Sequence, residues 1–328
     1  MKPVLFASIR KLDMAENIKA LWDAYDGPKE FVMKLTPEGH RAVQKASYHG
    51  FGAIVSDDFL ENKVKSKRDM KIIMIGHHIT GGKAYGKDQP ECYLTKGAAE
   101  QIDYFVSPSH DSVDIIASYS GIGREKCVVL GSPRTDMYVG KRKGDGHTEG
   151  AGKTTYLYVP TFRRPELYGP GLPRIDWDAI DDMLTDDELV IVKRHTTTKQ
   201  PLTDGKKRRH VLEVPSRRTS NNYIIDCDVL ITDYSSIVFD GYLLGKPSVL
   251  YCPDMEQYTS TRFMYHKYPD FYSSKVAVNE RELVEMARQA KRDGMGPIEK
   301  ECLRFTADMC DGHSVERIVS LIKDCCKE

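Results

Sequence analysis

Residues 228–252 constrain the fold of this chain more than any other stretch, because they read as strand, turn, helix and strand in immediate succession. Val229 to Ile231 is a short apolar run of the kind a strand buried on both faces requires. Thr232 to Ser236 is a polar turn. Ser235 or Ser236 can cap the helix that follows, and Gly245 with Pro247 ends it. Ser248 to Tyr251 begins the next strand. Two strands joined through a helix run parallel, so the polar turn lies at the carboxyl end of a strand and over a helix N-terminus. Open α/β sheets take their ligands at that place, and backbone N–H groups and the helix dipole there favour phosphate. Two adjacent hydroxyls in such a turn admit two readings, a helix cap or a cradle for a phosphate or diphosphate, and both stay open on the residues alone.

The same alternation runs along the chain. Strands are expected at Val4 to Ile9, Phe31 to Met33, Ala53 to Val55, Lys71 to Ile75, Tyr104 to Val106 and Val128 to Leu130. Helices are expected from Asp13, as cap, through Trp22, from Pro37 to about Tyr48, and from about Ser109 to Tyr119. Residues 140–153 then break the pattern with five glycines among charges, as a linker does. Beyond it strands recur at Thr155 to Val159, Leu189 to Val192, Val211 to Val214 and Val276 to Val278, with a helix at Trp177 to Met183. Three helices close the chain near 280–292, 297–309 and 313–325. The expected fold class is α/β, with two Rossmann-like, doubly wound parallel sheets. The expected domains are 1–140 and 154–328, joined through 141–153, with ligand bound where strand ends face a cleft.

Bulk properties narrow the function. The net charge is zero, which does not suggest a nucleic-acid partner. Basic runs at Lys63 to Arg68, Lys141 to Lys143 and Lys206 to Arg209 read as solvated loops, or as contacts to an anionic membrane or acceptor. No apolar run approaches the roughly 20 residues of a membrane span. Eight scattered cysteines without a CxxC pair, behind an N-terminus too weakly apolar for a signal peptide, are expected of a reduced, cytoplasmic protein.

Two motifs are decoys. Gly150 to Thr155 resembles the end of a P-loop, but His147 occupies the first glycine position and a polar linker stands where a strand should precede. Asp226-Cys227-Asp228 matches a loose metal-binding D-x-D pattern, yet it precedes a buried strand, whereas ligands gather after strands. A helix end and loop is the reading taken. Metal and cofactor requirements are expected to be none.

Chemistry-bearing residues gather at strand ends instead. His77-His78 follows Lys71 to Ile75, within a glycine-containing loop that runs through Thr80 to Lys83. An imidazole there can serve as general base near neutral pH. His195 follows Leu189 to Val192, behind Lys193 and Arg194. Two fixed charges and an imidazole suit a diphosphate leaving group. Thr161 and Arg163 follow the strand ending at Pro160, and Gly131 to Arg134 follow the strand ending at Leu130.

In this order the segments resemble the CDP-glycerol glycerophosphotransferases, the TagB/TagF-like enzymes of teichoic-acid and capsule synthesis. The most specific match is Leu230 to Ser236, with Phe239-Asp240 and Lys246-Pro247. Supporting matches are Val159 to Arg163, Gly131 to Arg134 with Asp136, and Asp311 to Arg317. The resemblance covers roughly 70–315. It implies a GT-B-like fold with the donor in the second domain, and inverting transfer without a metal. The family's base motif falls on His78-Ile79-Thr80-Gly81-Gly82-Lys83, which keeps the histidine, threonine and lysine but replaces a glycine by Ile79 and a proline by Gly81. The family's Leu-His-Pro motif falls on Arg194-His195-Thr196, without its proline.

The resemblance therefore assigns His78 and His195 as catalytic. It assigns Thr80, Lys83, Arg134, Thr161, Arg163, Arg194, Thr232, Asp233, Tyr234, Ser235, Ser236 and Asp240 to substrate. The expected reaction moves glycerol phosphate from CDP-glycerol, or a related CDP-alditol, to a hydroxyl of a polymer or lipid-linked glycan, releasing CMP. The membrane surface is a possible further partner, at the inner face of the plasma membrane. Two alternatives stand beside it: a GT-B glycosyltransferase using a CMP- or UDP-sugar, and a non-catalytic nucleotide- or polyanion-binding protein.

Overall fold

The computed structural model describes residues 1–60, 70–76, 81–88, 97–146, 150, 152–163, 171–195, 198, 200–216 and 219–327. His78, Thr80 and the basic run from Lys63 lie outside these residues. The chain forms two compact units: Met1–Val139 with Arg304–Glu328, and Gly140–Leu303.

Unit 1 carries the strands β1 (Val4–Ser8), β2 (Lys29–Met33), β3 (Ala53–Ser56), β4 (Lys71–Met74), β5 (Tyr104–Ser107) and β6 (Cys127–Val129). They pair in the order β2-β1-β3-β4-β5-β6, all parallel. Unit 2 carries β7 (Thr154–Tyr158), β8 (Glu188–Val192), β9 (Val211–Glu213), β10 (Val229–Thr232), β11 (Ser248–Tyr251) and β12 (Val276–Ala277). Their order is β12-β11-β10-β7-β8-β9, again parallel. Each sheet therefore reverses its strand order once, between β1 and β3 in unit 1 and between β7 and β10 in unit 2. A crevice for ligand opens at such a reversal, at the carboxyl ends of the strands.

The strands follow the apolar runs because both sheet faces are covered. In unit 2, Tyr158, Val190, Val192 and Ile231 pack under the helices Trp177–Met183 and Glu280–Asp293, which contribute Trp177, Ile180, Val284 and Ala287. On the other face Leu157, Ile191 and Leu230 meet Tyr223 and Ile224.

Three expectations need correction. The helix Glu16–Ala24 starts after Ala15 without a side-chain cap, so Asp13 does not cap it and sits in a short 3-10 turn, Leu12–Met14. The terminal helix Ser314–Cys325 belongs to unit 1, not to the second domain. Its Ile318, Ile322 and Cys326 complete the core of Val4, Phe6, Ile18 and Leu21. The glycine-rich stretch after Gly140 is bound to unit 2 rather than hanging as a linker. Gly144 and Gly146 donate N–H bonds of 2.8 and 3.0 Å to Asp226 Oδ1, and Lys143 pairs with Asp228.

Asp228 also accepts from Thr155 and pairs with Lys291. The D-x-D carboxylates thus hold loops, and among the described residues no group of three His, Cys, Asp or Glu side chains is placed for a metal ion. Of the last basic run, Lys206 and the buried Arg208 side chain pair with the exposed Asp178, and Arg208 with Asp204 as well. Among the described residues no helix is long and apolar enough to cross a membrane.

Candidate functional site

The reversal between β7 and β10 is where the motif residues of unit 2 converge. Thr232 ends β10 and donates its hydroxyl to the Val159 carbonyl at 2.7 Å, which ties the two strand ends together. Asp233 follows. Its Oδ1 accepts the Thr161 N–H at 2.7 Å, and its Oδ2 takes Arg163 Nη2 at 3.0 Å. The same nitrogen lies 3.0 Å from Asp254 Oδ2, in the loop after β11. Arg163 is 7% exposed. Burial works against its charge, and the carboxylates of Asp233 and Asp254 more than offset this.

Aromatic rings complete this support. Tyr234 stacks on Tyr258 at 3.7 Å and donates its hydroxyl to Asp254 Oδ1 at 2.9 Å. Burial raises the Tyr234 phenol well above its ordinary range. The guanidinium of Arg163 lies 4.4 Å from the Tyr258 ring and 5.0 Å from the Tyr234 ring. Tyr268 donates to the Asp233 carbonyl at 3.2 Å. Arg163 therefore engages both Asp233 and Tyr234, Thr232 ties its strand to Val159, and together they fix the shape of two strand-end loops. Asp240 is buried in the helix Ile237–Leu243.

Ser235 and Ser236 stand half-buried on that scaffold. Ser236 occupies the N-cap position in helical geometry without a side-chain cap bond. Ser235 Oγ reaches the Ile237 N–H at only 3.4 Å, at the limit of a hydrogen bond. Neither serine makes a strong side-chain cap at this helix. Gly245, with φ of 69°, ends the helix as expected.

His195 follows β8 and stacks on Phe162, with ring centroids 5.3 Å apart. The neighbouring cations point to structural partners. Arg194 pairs with Glu213 at 2.9 Å. Lys193 is 1% exposed and donates to the carbonyls of Arg194 and Ser216, and burial with the nearby Arg194 charge lowers it to about 8.

In unit 1 the sequence reading missed Asn17. It is buried, and its Nδ2 donates 2.9 Å to the Gly76 carbonyl, immediately before His77. Its Oδ1 accepts the Arg134 N–H at 2.9 Å and lies 3.4 Å from Ser132 Oγ. One side chain thereby joins the loops after β4 and β6. A polar residue in the first turn of a helix otherwise reads as solvated, so the sequence held no signal for it. The side chain of Arg134 is buried 3.9 Å from Glu16. Lys83 is half-buried in a short bridge segment.

Asp136 and Arg317 fasten the two remaining motifs to each other. Asp136 accepts the N–H groups of Ser314 and Val315 at 3.2 and 2.7 Å, at the start of the terminal helix. Arg317 donates to the Leu130 and Met309 carbonyls and pairs with Asp311. Gly131 has φ of 95°, and a Cβ there would lie 2.2 Å from Ser314 Oγ and 2.5 Å from the Met309 carbonyl. Only glycine permits that approach.

Comparison with known proteins places this geometry. A family model described as CDP-glycerol:poly(glycerophosphate) glycerophosphotransferase matches residues 1–324. The chain is 25% identical over 243 residues to a teichoic acid glycerol-phosphate transferase of Staphylococcus aureus, covering 69% of this chain and 62% of that protein. It is 24% identical over 348 residues to a teichoic acid poly(ribitol-phosphate) polymerase of Bacillus spizizenii, covering 97% of this chain and 56% of that one. The chain thus spans between half and two-thirds of the length of these relatives. In fold it resembles the wall teichoic acid polymerase TagF, with TM-score 0.75, 20% identity, and coverage of 99% of this chain and 89% of that one. The fold class is α/β and GT-B-like.

Proposed function

Since the chain belongs to the CDP-glycerol:poly(glycerophosphate) glycerophosphotransferase family, we propose that it transfers glycerol phosphate from CDP-glycerol to a hydroxyl of a cell-wall polymer, releasing CMP. The observation that carries this reading is the braced reversal between β7 and β10, where Asp233 and Arg163 lock the loop after β10, which carries Ser235 and Ser236, to the loop after β7, whose Phe162 stacks on His195. Rigid hydroxyl and N–H donors at the carboxyl edge of a doubly wound sheet suit a diphosphate.

The acceptor oxygen attacks the phosphorus that bears glycerol. A new P–O bond forms, the bond to CMP breaks, and the acceptor proton passes to His78. The site's own contribution is positioning and charge neutralisation, which phosphoryl transfer chiefly requires. Ser235 and Ser236 hold phosphate oxygens, and His195, held against Phe162, meets the charge that develops on CMP. Thr161 offers a further contact at the same edge. Arg163, Asp233 and Tyr234 hold the loops. Arg134, Thr80 and Lys83 serve the acceptor side. The acceptor is a polymer or a lipid-linked glycan at the inner face of the membrane.

The test is a donor screen with CMP as readout. The protein is mixed with a glycerol-phosphate oligomer and either CDP-glycerol, CDP-ribitol, a UDP-sugar or a CMP-sugar. CMP release with CDP-glycerol and loss of turnover in His78→Ala are expected. Turnover of a sugar nucleotide instead, or full activity of His78→Ala, overturns the assignment.

A further inference from the structure

The two units share one device and use it differently. Each places an aspartate just past a strand at the reversal of its sheet: Asp233 after β10, and Asp57 after β3. Asp233 has a partner on each oxygen, the Thr161 N–H and Arg163. Asp57 is 3% exposed, and among the described residues only its Oδ2 is engaged, by the Ser8 hydroxyl at the end of β1, 2.8 Å away. Its Oδ1 is buried without a hydrogen-bond partner among the described residues. Ser8 itself is fixed, since its Oγ also accepts the Arg10 N–H at 3.0 Å and its carbonyl accepts the Lys34 N–H at 2.8 Å.

A buried carboxyl oxygen without a donor costs stability and is rare in folded proteins. Where it persists, a water, an ion or a bound molecule meets it. The position is the one at which a sheet of this order takes ligand. A carboxylate only accepts hydrogen bonds, so its partner brings O–H or N–H and is not a bare phosphate. In the proposed reaction the donor, with its own hydroxyls, belongs to unit 2, which leaves the polyol of the acceptor as the hydroxyl source for unit 1.

We propose that Asp57, held by Ser8 at the β1/β3 reversal, accepts a hydrogen bond from a hydroxyl of the polyol-phosphate acceptor and so selects for a hydroxylated repeat. This assignment rests on the transferase reading above. It adds a specificity residue outside the motifs that carry the family resemblance.

The test is direct binding without turnover. A synthetic glycerol-phosphate trimer, and a propanediol-phosphate trimer lacking one hydroxyl per unit, are titrated calorimetrically into the wild-type protein, Asp57→Leu and Asp57→Asn. Leucine keeps the approximate shape and removes the carboxyl, whereas asparagine keeps one oxygen. Wild type is expected to bind the glycerol trimer at least tenfold more tightly than the propanediol trimer. Asp57→Leu should lose that preference and melt no lower than wild type, and Asp57→Asn should stay within about threefold of wild type. Equal binding of both trimers by wild type, or wild-type preference in Asp57→Leu, overturns the proposal and leaves the oxygen to an internal water. An Asp57→Leu protein that does not fold makes the carboxyl structural and overturns it as well. CDP-glycerol is titrated in parallel and should bind all three proteins alike. Failure of wild type to bind it counts against the transferase reading, while the trimer titrations still decide the role of Asp57.

Discussion

Arg163 Nη2 lies 3.0 Å from Asp233 Oδ2, and this pair bridges the loops after β7 and β10 with both side chains out of water. Asp254 approaches the same nitrogen at 3.0 Å, so one guanidinium stands between two carboxylates. An arginine at a strand end ordinarily suggests a phosphate contact. This one is spent on holding the turn that carries Ser235 and Ser236.

Arg163→Met should therefore act first on stability. It leaves Asp233 and Asp254 facing each other without a counter-charge, and breaking a buried pair costs about 3–5 kcal/mol. Arg163→Lys should restore only part of this, because lysine lacks the planar group that lies over Tyr234 and Tyr258. Urea unfolding of unit 2, followed by fluorescence of Trp177, measures both. A Lys variant as stable as wild type would show that charge alone matters.

Asn17→Ala should uncouple the loops after β4 and β6. The Gly76 carbonyl and the Arg134 N–H each lose a partner, at about 1–3 kcal/mol for each buried group left unpaired. Because Gly76 leads into His77 and His78, kcat for CMP release should fall at least tenfold with the KM for CDP-glycerol unchanged. Equal loss in both parameters would count against a positioning role.

Asp57 gives a pH signature. Burial raises its carboxyl from 3.8 to about 6, against the Ser8 hydrogen bond, with smaller effects from the charges of Asp58, Arg10 and Lys34. The folded state binds more protons than the unfolded chain between these values. The stability tied to this group is thus full below 3.8 and is lost as pH rises through about 6. The melting temperature of wild type minus that of Asp57→Asn should fall across that window and stay flat above it.

Arg317→Ala should release the start of the terminal helix. The Leu130 and Met309 carbonyls lose the Arg317 donor, and Asp311 keeps the His313 N–H. Amide exchange should quicken at Ser314 and Val315, whose N–H groups rest on Asp136, while the amides of β10 keep their protection. Unchanged exchange at Val315 would mean that Asp136 holds the helix unaided.

The twelve strands among the described residues were legible in the sequence, because a strand covered on both faces must be a short apolar run and these stand out between polar loops. The turn at Thr232 to Ser236 was legible for the same reason. What was not legible is how polar side chains pair across the sheet. Nothing at Arg163 announces Asp254, which arrives on a different loop, and nothing at Asn17 announces Gly76. The return of Ile318 and Ile322 to the first core was hidden too. An amphipathic terminal helix fits either core by its apolar spacing, and the polar contacts of Asp136 and Arg317 that fix it to unit 1 have no pattern in the sequence.

The placement of the terminal helix bears on the order in which the protein can assemble. Unit 2 is one unbroken segment, Gly140–Leu303, set inside the sequence of unit 1. During synthesis unit 2 can close as soon as Leu303 clears the ribosome. Unit 1, begun first, must wait with Phe6, Ile18 and Leu21 uncovered until Ile318 and Ile322 emerge. Chains stalled before Ser314 should thus carry a protease-resistant second half and a sticky first half, which limited proteolysis of ribosome-bound chains would register.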